Sequence, residues 1–290
     1  MKVLVLASGG DAAGTNKFIA TLYKKFGKNL YACRGGFWGL YKNDIVPASY
    51  FEPLKYQDAA GCCIKTTRFP NFKEKQYFSV ALKNALNYDA LVVIGGNGTK
   101  QGARALADNG ARVVFVPGTI DNDVEDSDYS MGFHTAVKAV CEAVRNVMPS
   151  MESHTRSCIF ETMGRHCGKI AQTAAQIIQP EAVITEKKEL NENKLSKVIK
   201  ERFEKGMSTT IIMRENVCDS RALSAKLSEK LAPIEVRTFV VGHLQRGSKP
   251  SKQELTIATR FAKGTIKAIG TDALPIAVML QDGKTILKKI

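Results

Sequence analysis

Pro117-Gly118-Thr119-Ile120-Asp121-Asn122-Asp123 follows an apolar run, Val113-Val114-Phe115-Val116, and this junction decides the fold. Consecutive apolar residues, mostly β-branched, predict a short strand buried on both faces, as in parallel sheets covered by helices on each side. The heptapeptide then places Asp121 and Asp123 just past the carboxyl end of that strand, where open α/β sheets bind their ligands. Acids at i and i+2 on a glycine-containing turn can divide labour, one accepting a proton while the other holds a cation. The same residues suit an Asx-rich turn that satisfies only its own backbone. The heptapeptide alone fits both readings.

Working outward, the same grammar recurs. Val3–Ala7 reads as a strand, followed by Ser8-Gly9-Gly10-Asp11-Ala12-Ala13-Gly14-Thr15-Asn16 and a helix through about Phe26. Leu91–Ile94 leads into Gly95-Gly96-Asn97-Gly98-Thr99 and a helix from about Lys100 to Asn109. Val137, Val140, Val144 and Val147 put one apolar stripe on a helix from about Phe133 to Met148. Ser157–Phe160 precedes Met163-Gly164-Arg165-His166-Cys167-Gly168 and a helix from Lys169 to about Ile178. Asn191 suits an N-cap for a helix faced by Leu195, Val198, Ile199 and Phe203, with Gly206 at its carboxyl end. Thr209–Met213 and Thr238–Val241 are further strands. Alternating strand and helix predicts α/β architecture with mainly parallel sheets. One sheet for 290 residues would be large, so two doubly wound lobes sharing an active-site cleft are expected.

The net charge of +14, from 42 Lys+Arg against 28 Asp+Glu, suits anionic partners such as phosphorylated metabolites and nucleotides. The lysines are scattered through amphipathic segments rather than gathered into a tail, which argues against nucleic acid. Seven cysteines without a CxxC spacing predict reduced thiols rather than a disulfide framework or a zinc site. Val3–Ala7 is too short for a signal peptide and no run approaches a membrane span. A cytoplasmic protein without a membrane partner is expected.

The loops carry the chemistry. Gly9–Asn16 nearly fits a P-loop, but Thr15-Asn16 stands where Lys-Ser/Thr is required. What remains is glycine backbone leading into a helix amino terminus, which favours an anion; Gly95–Thr99 shares that character. Arg156, Arg165, Arg237, His243 and Arg246 lie at strand or loop edges, and arginine's fork matches phosphate oxygens. Each arginine alone fits a surface ion pair, and a lone histidine more often serves structure than function.

Taken together and in order, Ser8–Asn16, Arg68-Phe69-Pro70, Gly95–Gly98, Pro117–Asp123, Ser153–Arg156, Met163–Arg165 and Gly242–Gly247 resemble the 6-phosphofructokinase family. The resemblance runs from residue 1 to about 280. It implies ATP-dependent phosphorylation of fructose 6-phosphate in glycolysis. In that scheme Asp121 is the general base, Thr119 stands beside it, and Arg68 neutralises charge on the transferred phosphoryl group. Gly10, Tyr41, Arg68, Phe69, Gly98, Thr99 and Gly102 contact ATP, with Lys73 replacing an arginine on the same side. Asp123 places Mg²⁺. His243 and Arg246 hold the sugar 6-phosphate, joined by Arg156 and Arg237 from a neighbouring subunit, while Met163, Gly164, Arg165 and Glu215 embrace the sugar. The implied lobes are 1–132 plus 245–290 for nucleotide and 133–244 for sugar phosphate. A shared site implies a homo-oligomer, dimer or tetramer. Diphosphate-using relatives carry aspartate and lysine where this chain has Gly98 and Gly118, which favours ATP.

The departures are specific. Asn97 replaces a metal-binding aspartate, keeping a carbonyl oxygen while removing a charge. Ala60–Thr66 replaces a glycine-richer loop ahead of Arg68, and two effector-binding arginines read Ala20 and Lys24. Relatives continue past Ile290 into a final helix, whose absence would leave an apolar surface to be covered. A catalytically weak paralogue acting as a binding or regulatory subunit, or a diphosphate-dependent enzyme, are the alternative readings.

Overall fold

Strand and helix alternate along the chain as the apolar runs predict. In the computed structural model, which describes residues 1–271 and 273–290, the amino-terminal elements are β1 (Val3–Ala7), α1 (Thr15–Phe26), β2 (Leu30–Cys33), α2 (Gly36–Lys42), β3 (Ile45–Pro47), α3 (Lys75–Ala85), β4 (Ala90–Gly95), α4 (Asn97–Asp108), β5 (Val113–Pro117) and α5 (Phe133–Glu152). They are followed by β6 (Ser157–Thr162), α6 (Lys169–Ile178), β7 (Ala182–Ile184), α7 (Glu192–Phe203), β8 (Thr210–Arg214), α8 (Ser220–Lys230), β9 (Val236–Val240) and α9 (Leu244–Gly247). The chain ends in α10 (Lys252–Ile269), β10 (Ile276–Gln281) and β11 (Lys284–Lys289). Backbone proximity separates two compact units, Met1–His134 with Lys249–Ile290, and Thr135–Ser248.

The first unit is built on a 7-stranded sheet of order β11-β10-β5-β4-β1-β2-β3. Its interior pairs are parallel, and antiparallel strands β3 and β11 close the two edges. Side chains alternate as pleating requires. Val3, Val5 and Ala7 face a core with Phe18, Ile19 and Leu22 of α1 and Phe261 of α10, whereas Leu4 and Leu6 face Leu40 of α2 and Leu106 of α4. Register then fixes function-bearing geometry: Ala7 pairs with Ile94, and Ile94 with Val116. The carboxyl ends of β1, β4 and β5 are therefore flush, and the loops that follow them emerge side by side.

The second unit holds a wholly parallel 4-stranded sheet, β7-β8-β6-β9. One face packs Ile159, Ile211 and Met213 on Leu195 and Ile199 of α7 and Leu223 and Leu227 of α8. The other packs Cys158 and Phe160 on Val144 and Met148 of α5. Asn191 caps α7, accepting from Lys194 N at 3.0 Å.

The expected helix at Lys100 begins earlier, at Asn97. Gly98 reads as loop in sequence but lies in the first turn of α4. α5 likewise runs past Met148 to Glu152 and includes Pro149. Among the described residues no helix is long and apolar enough to cross a membrane, and all seven cysteines are free.

Candidate active site

The loop after β5 is held from several directions. Gly118 N donates to Gly95 O at 2.9 Å and Met131 N to Pro117 O at 3.1 Å. The Thr119 hydroxyl accepts from Asp121 N at 3.2 Å, and the Thr119 carbonyl accepts from Ser130 Oγ at 2.6 Å. Asn122 occupies the left-handed region (φ 53°), which asparagine tolerates. Its amide spans the loop, donating to Asp128 O at 2.8 Å and accepting from Ser130 Oγ at 3.1 Å. Ile120 is fully buried and Asp121 only 8% exposed, so that carboxylate is carried on a fixed backbone. Asp123 is exposed.

Asn97 reaches this loop from α4, its Nδ2 donating to the Asp123 carbonyl at 3.1 Å. An aspartate has no donor for that bond. Gly96 faces Thr119, since a Cβ there would lie 3.5 Å from the Thr119 Cβ. Thr99 Oγ1 donates to Ser8 O at 3.0 Å, tying the first turn of α4 to the end of β1. A Cβ on Gly98 would meet nothing within 4 Å, whereas one on Gly118 would lie 2.5 Å from Ile94 Cγ2. Space is open at 98 and filled at 118.

The loop before Arg68 is fastened rather than slack. Asn16 binds it three times, donating to Ala59 O and Ala60 O at 3.1 and 3.3 Å and accepting from Cys63 N at 2.7 Å. Thr66 and Thr67 hydroxyls donate to Gly9 O and Gly35 O at 3.1 and 2.7 Å, and Gly9 N donates to Thr67 O at 2.9 Å. The chain therefore passes beside Gly9 and Gly10 before presenting Arg68, which is exposed.

An aromatic wall follows. Phe69 meets Trp38 and Tyr77 with ring centroids 5.1 Å apart in each case, and Tyr41 meets Tyr77 at 5.1 Å. Phe37 stacks on Phe72 at 4.0 Å. A Cβ on Gly102 would fall 2.7 Å from Phe37 Cε2, so α4 packs on this wall through a glycine. Lys73 Nζ donates to Gln101 Oε1 at 2.9 Å. Gly10, Tyr41, Arg68, Phe69, Lys73, Gly98, Thr99, Gly102, Thr119, Asp121 and Asp123 all belong to the first unit. Trp38, 41% exposed, was not singled out by the sequence reading; its i, i+3 spacing to Tyr41 on one helix was the available signal.

In the second unit, the loop after β6 is captured through its amides. Glu215 Oε1 accepts from Gly164 N at 3.1 Å and Arg165 N at 2.9 Å. Gln245, fully buried, accepts from Met163 N at 3.2 Å. Buried Arg214 donates to Thr185 O at 2.6 Å and Glu215 O at 3.0 Å, and also reaches Arg165 O. Gly164 sits at φ 139°, with a hypothetical Cβ only 2.3 Å from Cys167 O, so only glycine fits. His243, the N-cap of α9, and Arg246 within that helix follow β9 at the same end of the sheet. A cleft of about 610 Å³ opens beside Glu215, over Glu161 and Val240 and next to Lys187, Cys218 and Arg221.

Arg156 and Arg237 lie at the opposite, amino end: Arg156 immediately precedes β6, and Arg237 is the second residue of β9. The 6 residues of β6, at about 3.3 Å each, put roughly 20 Å between this end and Met163. Both arginines bind one oxygen, Glu235 Oε2, at 2.6 Å each. The Arg237 hydrogen bond, reinforced by the Arg156 charge, holds the Glu235 carboxyl below the usual carboxylate range. Within one chain the predicted sugar-phosphate residues thus form two groups. Glu235 and Gln245 escaped the sequence reading because their partners are supplied by sheet register and by a fold between distant segments.

Among the described residues, no cluster of three or more His, Cys, Asp or Glu side chains could hold a metal ion. Asp123 and Asn97 meet through the Asn97 amide and the Asp123 carbonyl. They do not form a resident metal centre.

A family model described as "Phosphofructokinase" matches residues 2–269. The chain is 34% identical over 289 residues to the ATP-dependent 6-phosphofructokinase of Mesomycoplasma hyopneumoniae, covering 98% of this chain and 90% of that one. It is 36% identical over 296 residues to the ATP-dependent 6-phosphofructokinase of Hamiltonella defensa, with the same coverage. The fold is similar to that of Pichia pastoris phosphofructokinase in the T-state, with a TM-score of 0.89 at 21% identity, across 99% of this chain and 37% of the Pichia chain. The match runs through both units and takes in every loop described above: the chain belongs to the phosphofructokinase family.

Proposed function

We propose that the chain is an ATP-dependent 6-phosphofructokinase of glycolysis, transferring the γ-phosphoryl group of ATP to the 1-hydroxyl of fructose 6-phosphate in the cytoplasm. Asp121 accepts the hydroxyl proton as that oxygen attacks the γ-phosphorus. The bond to ADP breaks with its electron pair leaving on the β-phosphate oxygen. Arg68 supplies positive charge to the transferred group, and the first turn of α4, beginning at Asn97, offers backbone amides to phosphate oxygens. Mg²⁺ comes with the nucleotide as part of the substrate, and Asp123 and the Asn97 carbonyl are the oxygens available to it. The aromatic wall of Tyr41 and Phe69 receives the nucleotide base side. In the second unit, Met163, Gly164, Arg165 and Glu215 hold the sugar, and His243 with Arg246 hold its 6-phosphate.

The observation that carries this reading is the flush register of β1, β4 and β5, which gathers the segments of Gly9, Asn97 and Asp121 at the carboxyl end of the sheet. Phosphoryl transfer asks mainly for such positioning and charge. Two glycines support ATP over diphosphate as donor: open space at Gly98 leaves room for nucleotide phosphates, and Ile94 fills the place a lysine at 118 would take. The roughly 20 Å between the two basic groups of the second unit supports a homo-oligomer, dimer or tetramer, in which Arg156 and Arg237 complete a neighbour's site.

The test is a coupled assay for fructose 1,6-bisphosphate at saturating Mg²⁺, with ATP and then with diphosphate as donor. Turnover with ATP and little with diphosphate is expected. Preference for diphosphate would overturn the donor assignment, and no turnover with either would leave a binding or regulatory subunit.

A further inference from the structure

We propose that Glu235 is a positioning residue that holds Arg156 and Arg237 together as a paired receptor for a phosphate monoester. The inference rests on the reading of those two arginines as sugar-phosphate ligands. It adds a residue that neither the motifs nor the family resemblance assigns.

Three observations carry it. First, one carboxylate oxygen serves both arginines, accepting from Arg156 Nε and Arg237 Nη2 at 2.6 Å each. Charge-assisted bonds this short are the stronger kind, and a single oxygen held by two guanidinium groups fixes their separation as well as their direction. Second, the anchor is stiffer than what it holds. The Glu235 carbonyl joins the β6–β9 ladder, accepting from Ser157 N at 3.0 Å, and the register then pairs Ser157 with Val236 and Cys158 with Arg237. A carboxylate on a strand edge thus organises two long side chains that would otherwise sample many rotamers.

Third, the trio is left with donors and charge to spend. Arg156 uses Nε, so the tips of its fork stay available; Arg237 uses one terminal nitrogen, so the other and its Nε stay available. Two guanidinium groups against one carboxylate leave a net positive charge of one. An isolated surface ion pair has no such surplus. All three side chains remain partly open to solvent, at 30%, 55% and 45% for Arg156, Arg237 and Glu235. An incoming phosphate monoester can therefore take the free nitrogens without displacing the carboxylate. Carboxylate on one side and phosphate on the other is the arrangement that a bidentate arginine fork accommodates.

The experiment is calorimetric titration of the full chain with fructose 6-phosphate in the absence of nucleotide. The proteins compared are wild type, Glu235→Ala, Glu235→Gln, the Arg156→Ala/Arg237→Ala pair, and that pair combined with Glu235→Ala. Glu235→Ala is expected to weaken binding about five- to thirtyfold, reflecting two side chains that must now be ordered on binding. Glu235→Gln keeps an acceptor oxygen and is expected to lose less. In the background lacking both arginines, removing Glu235 is expected to change nothing further, because its effect passes through them.

Unchanged or tighter binding in Glu235→Ala would overturn the proposal and leave Glu235 a surface ion pair or a competitor of the phosphate. A further loss in the arginine-free background would overturn it as well, by showing an effect through the fold. The coupled assay keeps this inference separate from the proposed reaction. Wild-type binding with the expected Glu235 pattern but no turnover refutes the reaction alone. Turnover with an indifferent Glu235 refutes this inference alone. A wild-type chain that takes no fructose 6-phosphate refutes both.

Discussion

The two ends of the second unit's sheet solve the problem of placing positive charge in opposite ways. At the carboxyl end the backbone is organised first. Glu215, Gln245 and Arg214 pin the Met163–Arg165 loop by its amides and by the Arg165 carbonyl, and the loop's side chains ride on the result. At the amino end Arg156 closes the turn after α5, its N donating to Met151 O at 2.9 Å, Arg237 projects from β9, and the Glu235 carboxylate gathers the two side chains. Loops at strand carboxyl ends enclose space, whereas strand amino ends offer side chains on a surface. The carboxyl end therefore suits a ligand that must be oriented atom by atom. The amino end suits a contribution lent to something outside the chain. The first unit follows the carboxyl-end pattern, with the Thr119–Asp123 loop held by Ser130, Asn122 and Asn97.

If that contrast is right, the largest effect belongs to the pinned loop of the first unit. Asp121→Ala is expected to lower kcat about 10²–10⁴-fold, the usual range for a general base, with little change in the KM for ATP. A loss below about tenfold in a folded protein would discredit the base assignment. The variant tests chemistry rather than folding, because the loop is held through its backbone and through Thr119, Asn122 and Ser130.

The contrast is broken or sharpened most directly by mixing subunits. Arg237→Ala and His243→Ala alone are each expected to lose most activity at limiting fructose 6-phosphate. Refolded together from equal amounts, they are expected to recover about a quarter of the wild-type sites, since random pairing in a two-fold assembly makes one intact site per heterodimer. No recovery would mean that both residues serve the same chain's site, and the division between the two ends would fall.

Much of this was legible in sequence, and the limits have physical causes. The β1 and α6 bounds match the apolar runs, because buried parallel strands and their crossover helices leave clean periodicity. In the second unit β6, β8 and β9 fall within one or two residues of the expected runs, whereas the short β7 gave no signal of its own. The regular elements from β2 to α3 left no readable pattern, since β2 and β3 are only 4 and 3 residues long and the aromatics serve a wall rather than a period. The antiparallel hairpin of β10 and β11 was missed as well: β11 is Lys-rich and none of its residues is fully buried, so its pattern is that of a solvated edge. For the candidate site, glycines, aspartates and arginines stood out by type. Glu235 could not, because nothing in residues 234–238 announces that register will set them beside Arg156. Gln245 lies inside a quoted motif, yet its full burial and its bond to Met163 N depend on an 82-residue loop closure.

Glu215→Gln probes the pinning itself at a smaller scale. Glutamine keeps an oxygen for the Gly164 and Arg165 amides but loses the charge that makes those bonds charge-assisted. A weakening of about 1–2 kcal/mol in the loop's hold is expected, read as a rise of roughly tenfold in KM for fructose 6-phosphate with the KM for ATP unmoved. Equal rises in both constants would show that Glu215 supports the whole fold and not this loop, and the carboxyl-end pattern would lose its clearest case.

The smallest expected effect is at Asn97, where the two units' shared logic of pinned loops meets the chemistry of the metal. In this chain the Asn97 amide donates to the Asp123 carbonyl at 3.1 Å, so the residue acts on the loop's backbone. Asn97→Asp removes that donor and sets a carboxylate against a carbonyl, while giving Mg²⁺ a charged oxygen. The two changes oppose one another. The position is exposed, so the lost bond costs no more than about 1 kcal/mol, roughly 2–4 °C in Tm. The added charge is expected to lower the Mg²⁺ concentration needed for half-maximal rate severalfold, with kcat rising at limiting metal and hardly at saturation. Thermal unfolding without metal and a Mg²⁺ titration of the rate separate the two terms. A fall in Tm without any change in metal dependence would show that Asn97 is solely a brace for the Asp123 loop. An unchanged Tm with a lower Mg²⁺ requirement would show that the brace is dispensable and that the aspartate's charge is what the loop lacks.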